Sequence, residues 1–155
     1  MATDNLAMGR RIVEEIWNQG KLEVSDELFA KSYINHIVGY PKPLRGPEGY
    51  RQLVRSYREA LPDLRHGIDE LHAIGDRLIM RWTVVGTHKG EIMGVAPTGR
   101  RISVSGINIY RIANGQVQEE WCYWDFATFM AQIGLTFQPA ATVAPQVAPE
   151  ATAHM

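Results

Sequence analysis

The chain has 155 residues, of which 45% are hydrophobic and 21% charged, the composition of one folded domain with a real core. Sixteen Lys plus Arg against 17 Asp plus Glu leave a formal charge of -1, so no strong field draws it to nucleic acid or to an anionic membrane. The single cysteine, Cys122, excludes an internal disulfide framework and a cysteine-rich metal site. No apolar run reaches the roughly 20 residues of a membrane helix, and residues 1–10 lack a signal pattern, so the expected location is the cytoplasm.

From residue 4 to 18, Ile12, Val13, Ile16 and Trp17 recur in adjacent pairs four apart, which predicts a helix with one core-facing side, ended by Gly20. Ser25 before Asp26-Glu27 reads as the N-cap of a short second helix. Residues 33–43, including His36, read as a loop. Gly46-Pro47 opens a third helix striped by Tyr50, Leu53, Val54, Tyr57 and Leu61, and Pro62 stops it. The period then becomes alternating, giving strands over 64–74, 78–88, 102–112 and 116–124, with hairpin turns at Gly75-Asp76 and Asn114-Gly115. The connection 89–101, with Gly90, Gly94, Pro97 and Gly99, reads as a flap or a sheet corner. Residues 125–133 form a last short helix closed by Gly134. The expected domain spans 1–137, followed by an Ala/Pro-rich disordered tail over 138–155. Helices followed by a mostly antiparallel sheet give an α+β fold, a curved sheet closed into a cone by N-terminal helices around an apolar pocket.

A two-residue turn at Asn114-Gly115 pairs Ala113 with Gln116 and, counted outward, puts Tyr110, Glu119, Asn108, Trp121, Tyr123 and Asp125 on one face. A carboxylate among aromatics is desolvated and its pKa rises toward the range useful for proton transfer. Asp125 is therefore a candidate acid/base, although as the residue before Phe126-Ala127-Thr128 its pattern favours a helix cap. Glu119 is either a pocket acid or a solvated strand residue. Trp82 and His88 share a parity on their strand and are candidate pocket residues, or a core indole and a satisfied strand-end histidine. Cys122 falls on the other face. No metal site is expected, because His66 and His72 on one strand lie about 20 Å apart. No Gly-x-Ser-x-Gly elbow or Walker loop occurs.

Trp17-Asn18-Gln19-Gly20-Lys21-Leu22, Tyr33-Ile34-Asn35-His36, Gly46-Pro47-Glu48-Gly49, Leu61-Pro62-Asp63-Leu64, Gly86-Thr87-His88-Lys89-Gly90, Pro97-Thr98-Gly99-Arg100, Asn114-Gly115-Gln116-Val117 and Gln132-Ile133-Gly134-Leu135 occur in order. Together they resemble the SnoaL-like polyketide cyclases (ester cyclases) of the nuclear-transport-factor-2-like superfamily, over nearly all of 6–135. The resemblance implies a cone with a deep pocket, a homodimer, and intramolecular aldol ring closure without metal or cofactor. By motif it puts the acid/base aspartate at Asp125, with His36 and His88 at cavity positions. The family's second catalytic histidine, on the strand before the last, has no counterpart, since Asn108 and Arg111 stand there.

The expected function is a cofactor-independent acid/base enzyme acting on a small apolar carbonyl compound. Asp125 is its catalytic residue, and His36, Trp82, His88, Asn108, Tyr110, Glu119, Trp121 and Tyr123 bind. The alternatives are an isomerase, dehydratase or epoxide hydrolase on the same pocket, and a non-catalytic module for hydrophobic-ligand binding or dimerisation.

Overall fold

The paired apolar residues near the start do wind into one helical unit, but it changes pitch partway. In the computed structural model, which describes residues 2–135, helix α1 (Ala2–Arg11) runs on into a π-helical stretch (Ile12–Asn18) that buries Ile12, Val13 and Ile16. A 3-10 turn (Leu22–Val24) and helix α2 (Ser25–Leu28) lead into strand β1 (Phe29–Ile37) and the two-residue strand β2 (Leu44–Arg45). Helix α3 (Gly46–Ala60) comes next, then β3 (Arg65–Ile74), β4 (Arg77–Thr87), β5 (Arg101–Ala113), β6 (Gln116–Trp124) and helix α4 (Phe126–Gln132). The expected tail over 138–155 lies outside the described residues.

Among the described residues the six strands make one curved, unclosed sheet in the order β2-β1-β6-β5-β4-β3. β3 to β6 form an antiparallel meander, while β1 pairs in parallel with β6. The α+β reading stands. Two elements differ from the sequence reading. Residues 33–37 belong to β1 instead of a loop, so His36 is a strand residue. Ser25 is not a cap: it is the first residue of α2, buried, with a hydroxyl unpartnered among the described residues.

α3 packs on β1 and α1 on β3 and β4, all against one face of the sheet. Tyr33, Tyr50, Tyr110, Phe29 and Phe129 are fully buried between these layers with Ile12, Ile16, Leu78 and Met80. The C-terminal end of α3 is pinned from the sheet side, where Lys89 and Gly90 donate their backbone N–H groups to the Ala60 carbonyl at 2.9 and 3.0 Å. A Cβ on Gly90 would fall 2.3 Å from the Glu59 carbonyl oxygen, so only glycine allows this approach. Asp63 holds the neighbouring strand end by accepting the Thr87 N–H and hydroxyl, both at 2.7 Å.

The β5–β6 hairpin turns at Asn114 and Gly115, both at positive φ, as the sequence predicts. Ala113↔Gln116 and Ile112↔Val117 pair as expected, but the next pair is Arg111↔Glu119. Gln118 is an extra residue, a β-bulge, and its side-chain amide donates to the Ala113 carbonyl at 2.9 Å. Every residue of β6 beyond it therefore changes face. Tyr110 meets Glu120, Asn108 meets Cys122 and Gly106 meets Trp124 on the inner side, while Glu119, Trp121 and Tyr123 point outward.

Gly106 marks the tightest point of this inner face, since a Cβ there would lie 2.5 Å from the Trp82 ring and 2.9 Å from Trp124. Gly106→Ala is expected to push Trp82 aside and to cost about 1–3 kcal/mol, the usual range for overpacking. Urea unfolding followed by tryptophan fluorescence would measure both effects.

Candidate active site

The changed face of β6 decides what lines the interior. Between α3, the π-helical stretch and the concave side of the sheet lies a pocket of about 620 Å³, counting the space at its open mouth. Its walls are largely aromatic and aliphatic, with Trp17, Tyr57, Trp82, Trp124 and Phe129 among them, and its polar groups include Glu120, Asn108, Asn35 and His66.

Glu120 is 1% exposed. Its Oε2 accepts the Tyr33 hydroxyl and its Oε1 accepts Asn108 Nδ2 at 2.6 Å. Asn108 Nδ2 also donates to the Tyr110 hydroxyl at 3.1 Å, and Asn108 Oδ1 accepts Trp82 Nε1 at 2.9 Å. Burial raises the Glu120 carboxyl from 4.5 to about 7, against the opposing pull of its hydrogen bonds from Tyr33, Asn108 and Tyr110. At neutral pH such a group exchanges a proton in either direction.

β1 lies beside β6 and contributes Tyr33 and, directly across from Glu120, Asn35. Asn35 is buried and its Oδ1 has no hydrogen-bond partner among the described residues. On the opposite wall His66 is buried with Nδ1 likewise unpartnered, and burial drives its pKa down to about 4, leaving the ring uncharged at pH 7. The π-helical stretch reaches the same region. Trp17 donates its Nε1–H to the Tyr50 hydroxyl at 2.7 Å, and its ring lies 5.5 Å from that of His66. Cys122 also faces the pocket, with burial pushing its thiol well above the usual range.

The residues expected at the site divide sharply. Trp82 and Asn108 line the pocket, and Tyr110 is buried beside it through Asn108. Glu119, Trp121 and Tyr123 lie on the outer face because of the bulge, with Tyr123 59% exposed. His36 is also outside, stacked on Trp121 and 2.8 Å from Glu119 Oε2. That contact and Arg111 hold the Glu119 carboxyl below its ordinary range, the opposite of Glu120 one residue later. His88 is buried away from the pocket, where Nδ1 takes the Thr98 hydroxyl at 2.9 Å and its backbone brackets Gly99 and Arg100, fastening the 88–100 loop.

Asp125 is exposed at the start of α4. Its carboxylate accepts the Thr128 N–H at 3.1 Å, and this capping lowers its pKa. It does not line the pocket. The sequence reading missed Glu120, Asn35 and His66. His66 carries a readable signal, as a polar residue at an inward position of a strand that begins after a helix, whereas Asn35 falls in a stretch that reads as a loop and Glu120 depends on the bulge.

The profile of the SnoaL-like polyketide cyclase family matches residues 7–133. The aklanonic acid methyl ester cyclase DauD of Streptomyces sp. (strain C5) is 28% identical over 128 residues, covering 81% of this chain and 78% of its own. The structure of TsrD from Streptomyces laurentii superposes with a TM-score of 0.78 at 27% identity, over 86% of this chain and 97% of that one. A LEH-like epoxide hydrolase of M. tuberculosis shares the fold, with a TM-score of 0.65 at 14% identity over 85% of this chain and 90% of its own.

A carboxyl whose pKa is about 7 folded and 4.5 unfolded binds its proton more tightly in the folded state. Its contribution is fully present below pH 4.5, is lost as pH rises through 7, and amounts to roughly 3 kcal/mol at most. Glu120→Gln should therefore gain stability relative to the parent protein between pH 5 and pH 8, as read from urea unfolding at both values. A carboxyl-carbon NMR titration should put the Glu120 midpoint near 7.

Proposed function

The chain belongs to the SnoaL-like polyketide cyclase family, and on that premise we propose that it closes a ring in a small, flat, largely apolar carbonyl compound by intramolecular aldol addition, without a cofactor. The observation that carries this reading is Glu120, a carboxyl poised near pH 7 in a pocket walled by aromatic rings. DauD, a relative named for cyclising a methyl ester, supports ring closure as the reaction type.

In this reading the Glu120 carboxylate removes a proton from the carbon next to a substrate carbonyl, the C–H electron pair becomes the new C=C bond, and the carbonyl π pair moves to the oxygen, leaving an enolate. The enolate carbon attacks a second carbonyl of the same molecule. The enolate C=C pair forms the C–C bond as its own carbonyl is restored, the π bond of the acceptor carbonyl breaks, and the resulting alkoxide takes its proton from the Glu120 carboxylic acid. The proton count returns to its start, so one group serves as base and then acid. Tyr33 and Asn108 fix the carboxyl and share its charge. Glu120 takes this role in preference to Asp125 because a solvent-exposed cap carboxylate held below its ordinary range is a weak base.

A second reading is favoured by Asn35. Its unpartnered Oδ1 beside Glu120 would accept a hydrogen bond from a water that Glu120 deprotonates; the hydroxide would add to one ring carbon of an epoxide as its C–O bond breaks, and the alkoxide would take the proton back from Glu120. Oxygen-18 from labelled water in the product of a simple aryl epoxide would select it; the cyclase reading expects none.

A homodimer belongs to the same proposal. The outer face of the sheet carries Ile107, Ile109, Trp121 and Tyr123 in adjacent register, ringed by Arg77, Arg81, Arg111 and Glu119, and a second copy is self-complementary to such an apolar centre with a mixed-charge rim. Sedimentation equilibrium at micromolar concentration should give twice the chain mass, and Ile107→Asp should reduce it to one.

The acid/base step is tested with 2-tetralone, a flat ketone whose α-hydrogens exchange in D2O. The protein should accelerate exchange above buffer, with a rate that rises through an apparent pKa near 7 as Glu120 ionises and then levels. Glu120→Gln should lower it by at least about 100-fold. Asp125→Asn, which keeps the helix cap, should change neither rate nor stability appreciably. An aryl 1,5-diketone should give a cyclic product of unchanged mass.

A further inference from the structure

His66 lies on β3 opposite Val84 and lines the same pocket as Glu120. It is 8% exposed, and its Nδ1 has no partner among the described residues, a costly condition for a buried ring nitrogen unless a ligand supplies one. A second, independent observation is how firmly it is held. Asn18, the last residue of the π-helical stretch, accepts the His66 backbone N–H at 2.7 Å and donates to the His66 carbonyl at 2.9 Å. The rings of Trp17 and Trp82 flank the imidazole at 5.5 and 5.3 Å. A two-point backbone clamp and two indole walls fix a polar group whose Nδ1 satisfies nothing among the described residues.

The indole donors around the pocket and the Asn108 amide are committed, while the Asn35 amide, across from Glu120 on β1, is not among them. Trp82 Nε1 donates to Asn108, Trp17 Nε1 to Tyr50, Trp124 Nε1 to the Val38 carbonyl, and Asn108 Nδ2 to Tyr110 and Glu120. Among the described residues no Lys or Arg lines the pocket, so an anionic substrate group finds no cation there. An uncharged imidazole has one N–H to give, and the Gly67 backbone is a polar group of the chain within the ring's reach.

We propose that His66 is a second catalytic residue, donating a hydrogen bond from its ring N–H to the substrate carbonyl oxygen that becomes the enolate oxygen. This rests on the acid/base reading of Glu120. The α-carbon loses its proton to the Glu120 carboxylate, the C–H pair forms the C=C bond, and the carbonyl π pair moves to oxygen. His66 keeps its proton throughout and only strengthens its hydrogen bond as the charge grows, which is the contribution of a preorganised oxyanion donor. The substrate class is then a neutral ketone or ester, since the pocket offers a donor for an oxygen that acquires charge only during reaction.

The test compares α-hydrogen exchange of 2-tetralone in the parent protein, Glu120→Gln, His66→Phe and His66→Gln, each first shown to keep its near-UV circular dichroism. His66→Phe should lose about 100-fold or more, the usual loss for removing one oxyanion donor, with the pH midpoint unmoved because Glu120 still sets it. His66→Gln, which restores an N–H donor, should recover much of that loss, whereas a purely structural role would not distinguish the two. In parent protein labelled with ¹⁵N-histidine, 2-naphthol, a stable enol analogue, should shift the His66 ring nitrogens and leave His72 unmoved. If His66→Phe does not fold, His66→Gln and this shift decide the matter. Exchange in His66→Phe within about threefold of the parent, or an unshifted His66, while Glu120→Gln loses activity, overturns the role of His66 and leaves that of Glu120. No difference between Glu120→Gln and the parent overturns both.

Discussion

A carboxyl group removed from water must be hydrogen-bonded on both oxygens or give up its charge, and the interior of this protein is arranged around one such group. Tyr33 from β1 and Asn108 from β5 each take one oxygen of Glu120, and Asn108 is held in turn by Trp82 from β4 and Tyr110 from its own strand. Three strands thus converge on a side chain carried by a fourth, β6. The network does not neutralise the cost of burial, because its members are all uncharged donors, and the remainder shows as a proton held near pH 7. That leftover penalty is what would suit the group to the proposed proton transfer, since a fully compensated carboxylate would be inert as a base.

Glu119 and Glu120 show how far position outweighs residue type. They are adjacent and chemically identical, yet one meets His36 and Arg111 at the outer surface and the other meets tyrosine and amide inside. Their carboxyls move in opposite directions for that reason alone. The inversion is created by one residue, Gln118, which adds a step to β6 without lengthening β5.

Much of the fold was legible because its signals are local and periodic. The stripe of α3, the Asn114-Gly115 turn and the alternation of β3 to β5 each rest on residues that admit one arrangement. β1 was not, because its polar residues Lys31, Ser32, Asn35 and His36 dilute the apolar pattern, and its partner β6 lies some eighty residues away. The site was harder still. Residues 121–124 read Trp-Cys-Tyr-Trp, apolar on both faces, so hydrophobic alternation cannot choose a register and a bulge leaves no mark in the pattern. Counting pairs from the turn therefore put Trp121 and Tyr123 inside and made Asp125 look like the pocket acid. The motif resemblance identified the family regardless, because it depends on order and spacing and not on which way a strand faces.

The π-helical winding of Ile12–Asn18 gives this scaffold a particular kind of evolvability. A π turn holds one residue more than an α turn, so a single codon lost there restores ordinary winding while the helix before it and the chain after it keep the faces they already present. The residues displaced are those of the turn itself, Trp17 and Asn18 among them, the pocket wall and the clamp on β3, while the sheet and α3 stay as they are. A one-residue deletion or insertion would thus remodel one cavity wall without turning the rest of the helix away from the core, a route by which lineages sharing this fold could part in substrate without first passing through a destabilised core.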